Sequence, residues 1–265
     1  MTHPARRFAT LPFFALCVLL LVTAGTSAAD RTDTVARVKG SVVAVGTYER
    51  ARSPQFQFLG TGFAVGDGSL IVTNFHVLPG ALDGGKMETV AVLSPPGSKG
   101  GREQVEWREA RRVAQDPAVD LALLKIDGPP LPALKLRDSD TVREGQEILM
   151  TGFPIGNVLG PYPATHRGMI AAITPIAIPQ ARAAQLDTHT LRRLSSGTFP
   201  VFQLDATAYP GNSGSPIYDP ETGDVFGIVN MVLVKSTKES VLKDPTGITY
   251  AIPARHLKAL LEQPR

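Results

Sequence analysis

At 265 residues, with 43% hydrophobic and 19% charged side chains, the chain is long enough for one large core or two closely packed ones, and its make-up is that of a globular protein. The formal net charge is +3, and two of those positive charges, Arg6 and Arg7, lie in the first 29 residues, so the remaining chain is close to neutral and shows no nucleic-acid preference. The one cysteine, Cys17, lies there as well, which excludes disulfides, a cysteine nucleophile and thiolate metal sites from the rest of the chain.

Arg6 and Arg7, the apolar run over residues 11–22 and the small residues Ser27-Ala28-Ala29 read as a secretory signal cleaved after Ala29. The run is short of the roughly 20 residues of a membrane span. The expectation is therefore an exported protein, periplasmic or secreted, with no stable membrane anchor after cleavage. From Ala36 onward short runs rich in valine and isoleucine recur at residues 41–45, 56–65, 70–73, 89–93 and 121–126, separated by glycine, proline and aspartate. This pattern predicts an all-β fold. Gly60 and Gly62 fall inside one run, where a bulge or a close backbone approach is expected. Residues 83–86 and 94–103 read as loop tips. A second set of strands is expected at residues 146–151, 168–173, 200–205, 215–218, 224–234 and 247–252. A boundary near residues 136–144 divides the chain into a signal (1–29), an N-terminal barrel (30–140) and a C-terminal barrel (141–265). Residues 180–194 suggest a loop with a helical turn. Residues 253–262 predict a helix that starts at Pro253 and buries a stripe of Leu257, Leu260 and Leu261.

The stretch Tyr209-Pro210-Gly211-Asn212-Ser213-Gly214-Ser215-Pro216 has two readings. It is either a plain turn between strands or a nucleophile loop, in which glycines let backbone N–H groups surround a hydroxyl. A serine nucleophile requires a base and a carboxylate that orients the base. His76 ends an apolar strand, whereas His166 and His189 sit in predicted loops and His256 is expected on the surface of the terminal helix. Asp120 heads the apolar run over residues 121–126, as a solvated strand-start residue or as a buried one with a partner. An α/β-hydrolase would need a fifth-position glycine where Ser215 stands, and a histidine after the acid, for which only His256 is available. A metal centre finds no His-Glu-x-x-His and no cysteine cluster, and no cofactor is implied.

Taken together, the order His76, Asp120, Ser213 resembles the chymotrypsin-like serine proteases. The words Thr73-Asn74-Phe75-His76-Val77, Asp120-Leu121-Ala122-Leu123-Leu124-Lys125 and Pro210-Gly211-Asn212-Ser213-Gly214 resemble the HtrA (DegP/Deg) family more closely, as do Gly227-Ile228-Val229-Asn230 and Tyr250-Ala251-Ile252-Pro253. The resemblance implies a chymotrypsin-like double β-barrel that cleaves polypeptide substrates through an acyl-enzyme. It assigns Ser213 as nucleophile, His76 as base and then acid, Asp120 as its partner, and the loop Gly211, Asn212 and Ser213 as the oxyanion hole, with the N–H groups of Gly211 and Ser213 as donors. Thr207, Met231, Val232 and Ile248 would line the primary pocket, which lacks a charge and therefore suits small or medium apolar residues.

The chain departs from that family in four places. Ser215 stands where a second glycine is usual, no PDZ domain is expected after the terminal helix, and residues 173–200 are longer than the corresponding loop, as a regulatory element or a plain insertion. Asn212 replaces the aspartate with which zymogen-activated relatives pair a new amino terminus, so activity without N-terminal trimming beyond the signal is expected. A protease-like binding or scaffold protein without turnover remains the alternative, and self-association stays open.

Overall fold

A computed structural model describes residues 30–94, 97–99, 102–104, 106–156, 160, 162–175, 199–230 and 248–263. The predicted signal, Met231, Val232, His189 and most of the 173–200 segment lie outside the described residues. The chain begins with a helix that the sequence did not advertise, α1 (Arg31–Lys39). Asp30 caps it by accepting from Thr32 N–H at 3.1 Å, Asp33 sits in its first turn, and Arg37 and Lys39 sit in its last. Its apolar content is slight, and it is held by tertiary contacts instead. Val38 is fully buried, the Thr34 hydroxyl donates to Glu221 O at 3.0 Å, and Arg37 donates to Thr222 O at 2.6 Å.

The strands that follow are β1 (Val42–Tyr48), β2 (Phe56–Val65), β3 (Leu70–Asn74), β4 (Thr89–Leu93), β5 (Gly97–Lys99), β6 (Arg102–Gln104), β7 (Trp107–Asp116) and β8 (Leu121–Ile126). Six of them close an antiparallel barrel in the order β1-β2-β3-β8-β7-β4. Between β1 and β2, Val45 faces Gly60 and Gly46 faces Phe58, so Leu59 is an extra, bulged residue. The predicted loop at 94–103 instead holds most of a small hairpin, β5 with β6. Gly97 pairs with Gln104, and Lys99 with Arg102. Strand β7 escaped sequence reading because Trp-Arg-Glu-Ala-Arg-Arg-Val-Ala-Gln-Asp shows no apolar alternation, and of these residues only Ala110 is buried.

The second barrel comprises β9 (Glu147–Gly152), β10 (Ala164–Pro175), β11 (Pro200–Asp205), β12 (Pro216–Tyr218), β13 (Val225–Asn230) and β14 (Ile248–Pro253), closed in the order β10-β11-β14-β13-β12-β9. The fold is a double β-barrel of the chymotrypsin type. A terminal helix, α2 (Ala254–Leu261), docks with Leu257 and Leu260 buried, while Pro253 occupies its N-cap and Leu261 is only partly buried.

Each barrel has its own interior cluster. Val45, Ile71, Val92 and Leu124 lie in the first, and Ile148, Ile170, Phe202 and Phe226 in the second. A third cluster joins the barrels, with Phe63, Val72 and Leu121 packed with Phe153, Tyr218, Ile228 and Ile252. That arrangement explains why runs such as Val42-Val43-Ala44-Val45 are apolar without alternation. One face fills a barrel and the other fills the seam. The linker stitches the same seam. Leu131 and Leu134 donate to Gly68 O and Ala64 O of the first barrel, both at 2.9 Å, and Val225 of the second donates to Lys135 O at 2.8 Å.

Candidate active site

The seam brings three predicted residues together. Strand β3 ends at Asn74, and a single 3-10 turn (Phe75–Val77) places His76 at the edge of the first barrel. Asp120 closes the turn before β8 with φ +59°, a left-handed conformation that aspartate tolerates better than most residues. The turn holds both ends of Asp120. Its backbone oxygen accepts from Phe75 N–H and from the Asn74 amide, each at 3.1 Å, and its Oδ1 accepts from His76 N–H at 2.9 Å. Oδ2 lies 2.6 Å from His76 Nδ1 and accepts from the Asn230 amide at 2.6 Å.

A fully buried carboxylate with this set of donors accepts and does not donate, so the ring proton of His76 belongs on Nδ1. The lone pair then lies on Nε2, 3.0 Å from Ser213 Oγ. The His76 side chain is 24% exposed while the Asp120 side chain is 1% exposed, so the carboxylate is shielded and the imidazole reaches the surface. Asn230, the last residue of β13, comes from the opposite barrel. Its signal in the sequence is a polar residue inside the otherwise apolar run over 225–234, which when buried requires a partner.

The turn around Ser213 depends on two glycines with positive φ. Gly211 has φ +104°, and a Cβ there would lie 2.3 Å from Phe153 O and 2.8 Å from the Phe58 ring. Gly214 has φ +88°, and a Cβ there would lie 2.0 Å from Thr61 O. No other side chain fits either position. Every carbonyl from residue 210 to 213 is held. Pro210 O accepts from Ile155 N–H at 2.8 Å, Gly211 O from the Thr61 hydroxyl at 2.7 Å, Asn212 O from Ser215 N–H at 3.0 Å, and Ser213 O from Thr61 N–H at 2.8 Å.

The N–H groups of Asn212 and Gly214 are also occupied, donating to Tyr209 O and Val229 O, both at 3.0 Å. Asn212 therefore contributes no free backbone donor, unlike its place in the predicted trio. Among the described residues, the N–H groups of Gly211 and Ser213 donate to no acceptor. In a trans peptide the N–H opposes the carbonyl, so anchoring these carbonyls also sets the direction of the two free donors.

Behind this turn, Asn212 and Ser215 are fully buried, and the polar side-chain atoms of both have no hydrogen-bond partner among the described residues. Both side chains abut Gly152, where a Cβ would lie 1.9 Å from Ser215 Oγ and 2.9 Å from Asn212 Oδ1. Thr207, the predicted pocket floor, is half-buried at the start of the segment that follows β11. The backbone of Ile248 pairs with Asp205. Two histidines are placed differently from expectation. His166 lies in β10 and not in a loop, because Ala164 to Met169 pair along β9. His256 is half-buried against the Phe199 ring, with centroids 4.6 Å apart, because the docking of α2 turns that side toward the body. Burial lowers the pKa of both below the ordinary value of 6.5.

Residues 60–228 match the family model described as trypsin-like peptidase domain. A probable periplasmic serine endoprotease DegP-like of Marinomonas sp. (strain MWYL1) is 30% identical over 205 residues, covering 77% of this chain and 35% of that protein. Its counterpart in Rickettsia prowazekii (strain Madrid E) is 29% identical over 216 residues, 81% of this chain and 35% of that one. The chain thus spans about a third of the length of the curated relatives it matches. Among solved structures, an HtrA-type protease AlgW with a decapeptide superposes with TM-score 0.60 at 26% identity, covering 88% of this chain and 66% of that one. A serine endoprotease from Yersinia pestis superposes with TM-score 0.58 at 26% identity, covering 88% and 65%.

Proposed function

We propose, because this chain belongs to the family of trypsin-like peptidase domains, that it is an exported serine endopeptidase that cleaves unfolded or partly folded polypeptides through an acyl-enzyme. The observation that carries the reading is the hydrogen-bonded series Asp120, His76, Ser213 ending beside two free backbone donors. In this reading Ser213 Oγ attacks the scissile carbonyl as His76 Nε2 takes its proton, and Asp120 stabilises the imidazolium that forms. Charge developing on the carbonyl oxygen is met by the N–H groups of Gly211 and Ser213, each such donor typically contributing about 10²- to 10³-fold. His76 returns the proton to the leaving amine, and water then repeats the sequence on the ester.

The uncharged Thr207 supports small or medium apolar residues before the scissile bond. The signal-like first 29 residues and the periplasmic relatives support an exported, periplasmic location. The test is hydrolysis of casein by the protein and by Ser213→Ala. Cleavage is expected from the first alone, together with labelling of Ser213 by a fluorophosphonate. Equal cleavage by both would overturn the reading, and absence of cleavage with peptide binding retained would favour the scaffold alternative.

A further inference from the structure

Strand β9 ends at Gly152, and Ile155 in the segment that follows has φ +49°. A β-branched residue with positive φ is a genuine outlier, and such residues persist where their surroundings impose them. The first barrel holds this segment on either side of Ile155. Phe153 is buried, donates its N–H to the Thr61 hydroxyl at 3.1 Å and sets its ring edge-on to Phe58, with centroids 6.3 Å apart. A Cβ at Gly156 would lie 2.8 Å from the same Phe58 ring, and Gly156 O accepts from Gly160 N–H at 3.2 Å. With the segment so held, Ile155 N–H donates to Pro210 O at 2.8 Å.

Pro210 O and Gly211 N–H belong to one peptide group, and in a trans peptide they point in opposite directions. A flip of that peptide would exchange the two and take the donor out of the site. We propose that Ile155 is the positioning residue for the Gly211 donor of the oxyanion hole. Its left-handed backbone presents an N–H to Pro210 O and so keeps the peptide from turning over. The proposal rests on the serine-peptidase reading and adds to it a dependence on the segment after β9. The Ser213 donor is set separately, because the carbonyl of its own peptide, Asn212 O, accepts from Ser215 N–H within the turn. Loss of the Ile155 bond thus disables one donor and leaves the other, while Asp120, His76 and Ser213 keep their hydrogen bonds.

The experiment compares the protein with one whose Ile155 amide is replaced by an ester, and with Ile155→Asn, on a peptide substrate and with a peptidyl aldehyde as a probe of oxyanion binding. The ester, introduced as the α-hydroxy acid counterpart of isoleucine, keeps the side chain, deletes the N–H and sets an oxygen lone pair against Pro210 O. Its kcat is expected to fall about 10- to 100-fold with KM unchanged, and its aldehyde affinity to weaken by a similar factor. Ile155→Asn keeps the N–H and takes positive φ more readily, so it is the rescue variant, with kcat within about threefold of the parent or higher. An unchanged kcat in the ester protein would overturn the proposal. So would a fall in kcat without loss of aldehyde affinity, or a loss in Ile155→Asn equal to that in the ester protein. Those outcomes count against Ile155 alone as long as Ser213→Ala abolishes turnover. Full activity of Ser213→Ala would instead remove the underlying reading.

Discussion

Asp120 combines a left-handed backbone with a carboxylate that takes donors from His76 twice and from Asn230 once. Such a residue is held by its surroundings against a conformational cost of about 1–3 kcal/mol. Asp120→Asn keeps the shape but reverses a hydrogen-bond role, so His76 takes the other tautomer and points a proton at Ser213. A loss of about 10⁴ in kcat is expected, measured on the same peptide substrate. Asn230→Ala removes one charge-assisted bond to the carboxylate, a contribution of about 1.5–3 kcal/mol. Its kcat should fall by about tenfold or more, with thermal unfolding shifted downward. The proximity of His76, Asp120 and Ser213 was legible from their order and from the words around them, with only four histidines after the signal-like segment to choose from. Thr61 and Asn230 were not, since a hydroxyl or amide inside an apolar strand declares nothing until its partner on another strand is known.

Elements show the same division. The valine- and isoleucine-rich runs read at residues 56–65, 89–93 and 121–126, and the one at 200–205, coincide in both bounds with β2, β4, β8 and β11. Strand β7 and helix α1 are held by ladder bonds and by a few contacts to distant loops, which leave little trace in local pattern. The turn around Ser213 leaves little room for change. Gly214→Ala would force a Cβ to 2.0 Å from Thr61 O at a φ that alanine avoids. The expected outcome is loss of turnover together with a lower unfolding temperature, whereas an exposed glycine with open space around it and no positive φ, Gly80, should tolerate alanine far better. For α2, Leu257→Ala is expected to cost about 2–5 kcal/mol in urea unfolding, because the side chain is fully buried against the seam cluster.

At the scale of the whole molecule, pH acts through buried histidines and paired carboxylates. Burial lowers the pKa of His166, and burial with nearby Arg255 lowers that of His256 against the opposing pull of Asp116 and Asp140. In the window below 6.5 the unfolded chain binds more protons than the folded one, so stability rises with pH there and is lost as pH falls. Glu88 and Glu147, lowered by hydrogen bonds from Thr47 and Arg167 respectively, add a further loss below their ordinary 4.5. Urea midpoints should therefore decline between pH 7 and pH 5, and His256→Phe should flatten that decline. A decline of equal slope in His256→Phe would assign it elsewhere.

The seam has one more implication. His76 and Asp120 belong to one barrel, Ser213 and Asn230 to the other, and the grip of Thr61 crosses between them. Parting the barrels would separate His76 from Ser213, Asp120 from Asn230 and Thr61 from the turn around Ser213 in a single movement, and in that movement would uncover the linker that stitches them.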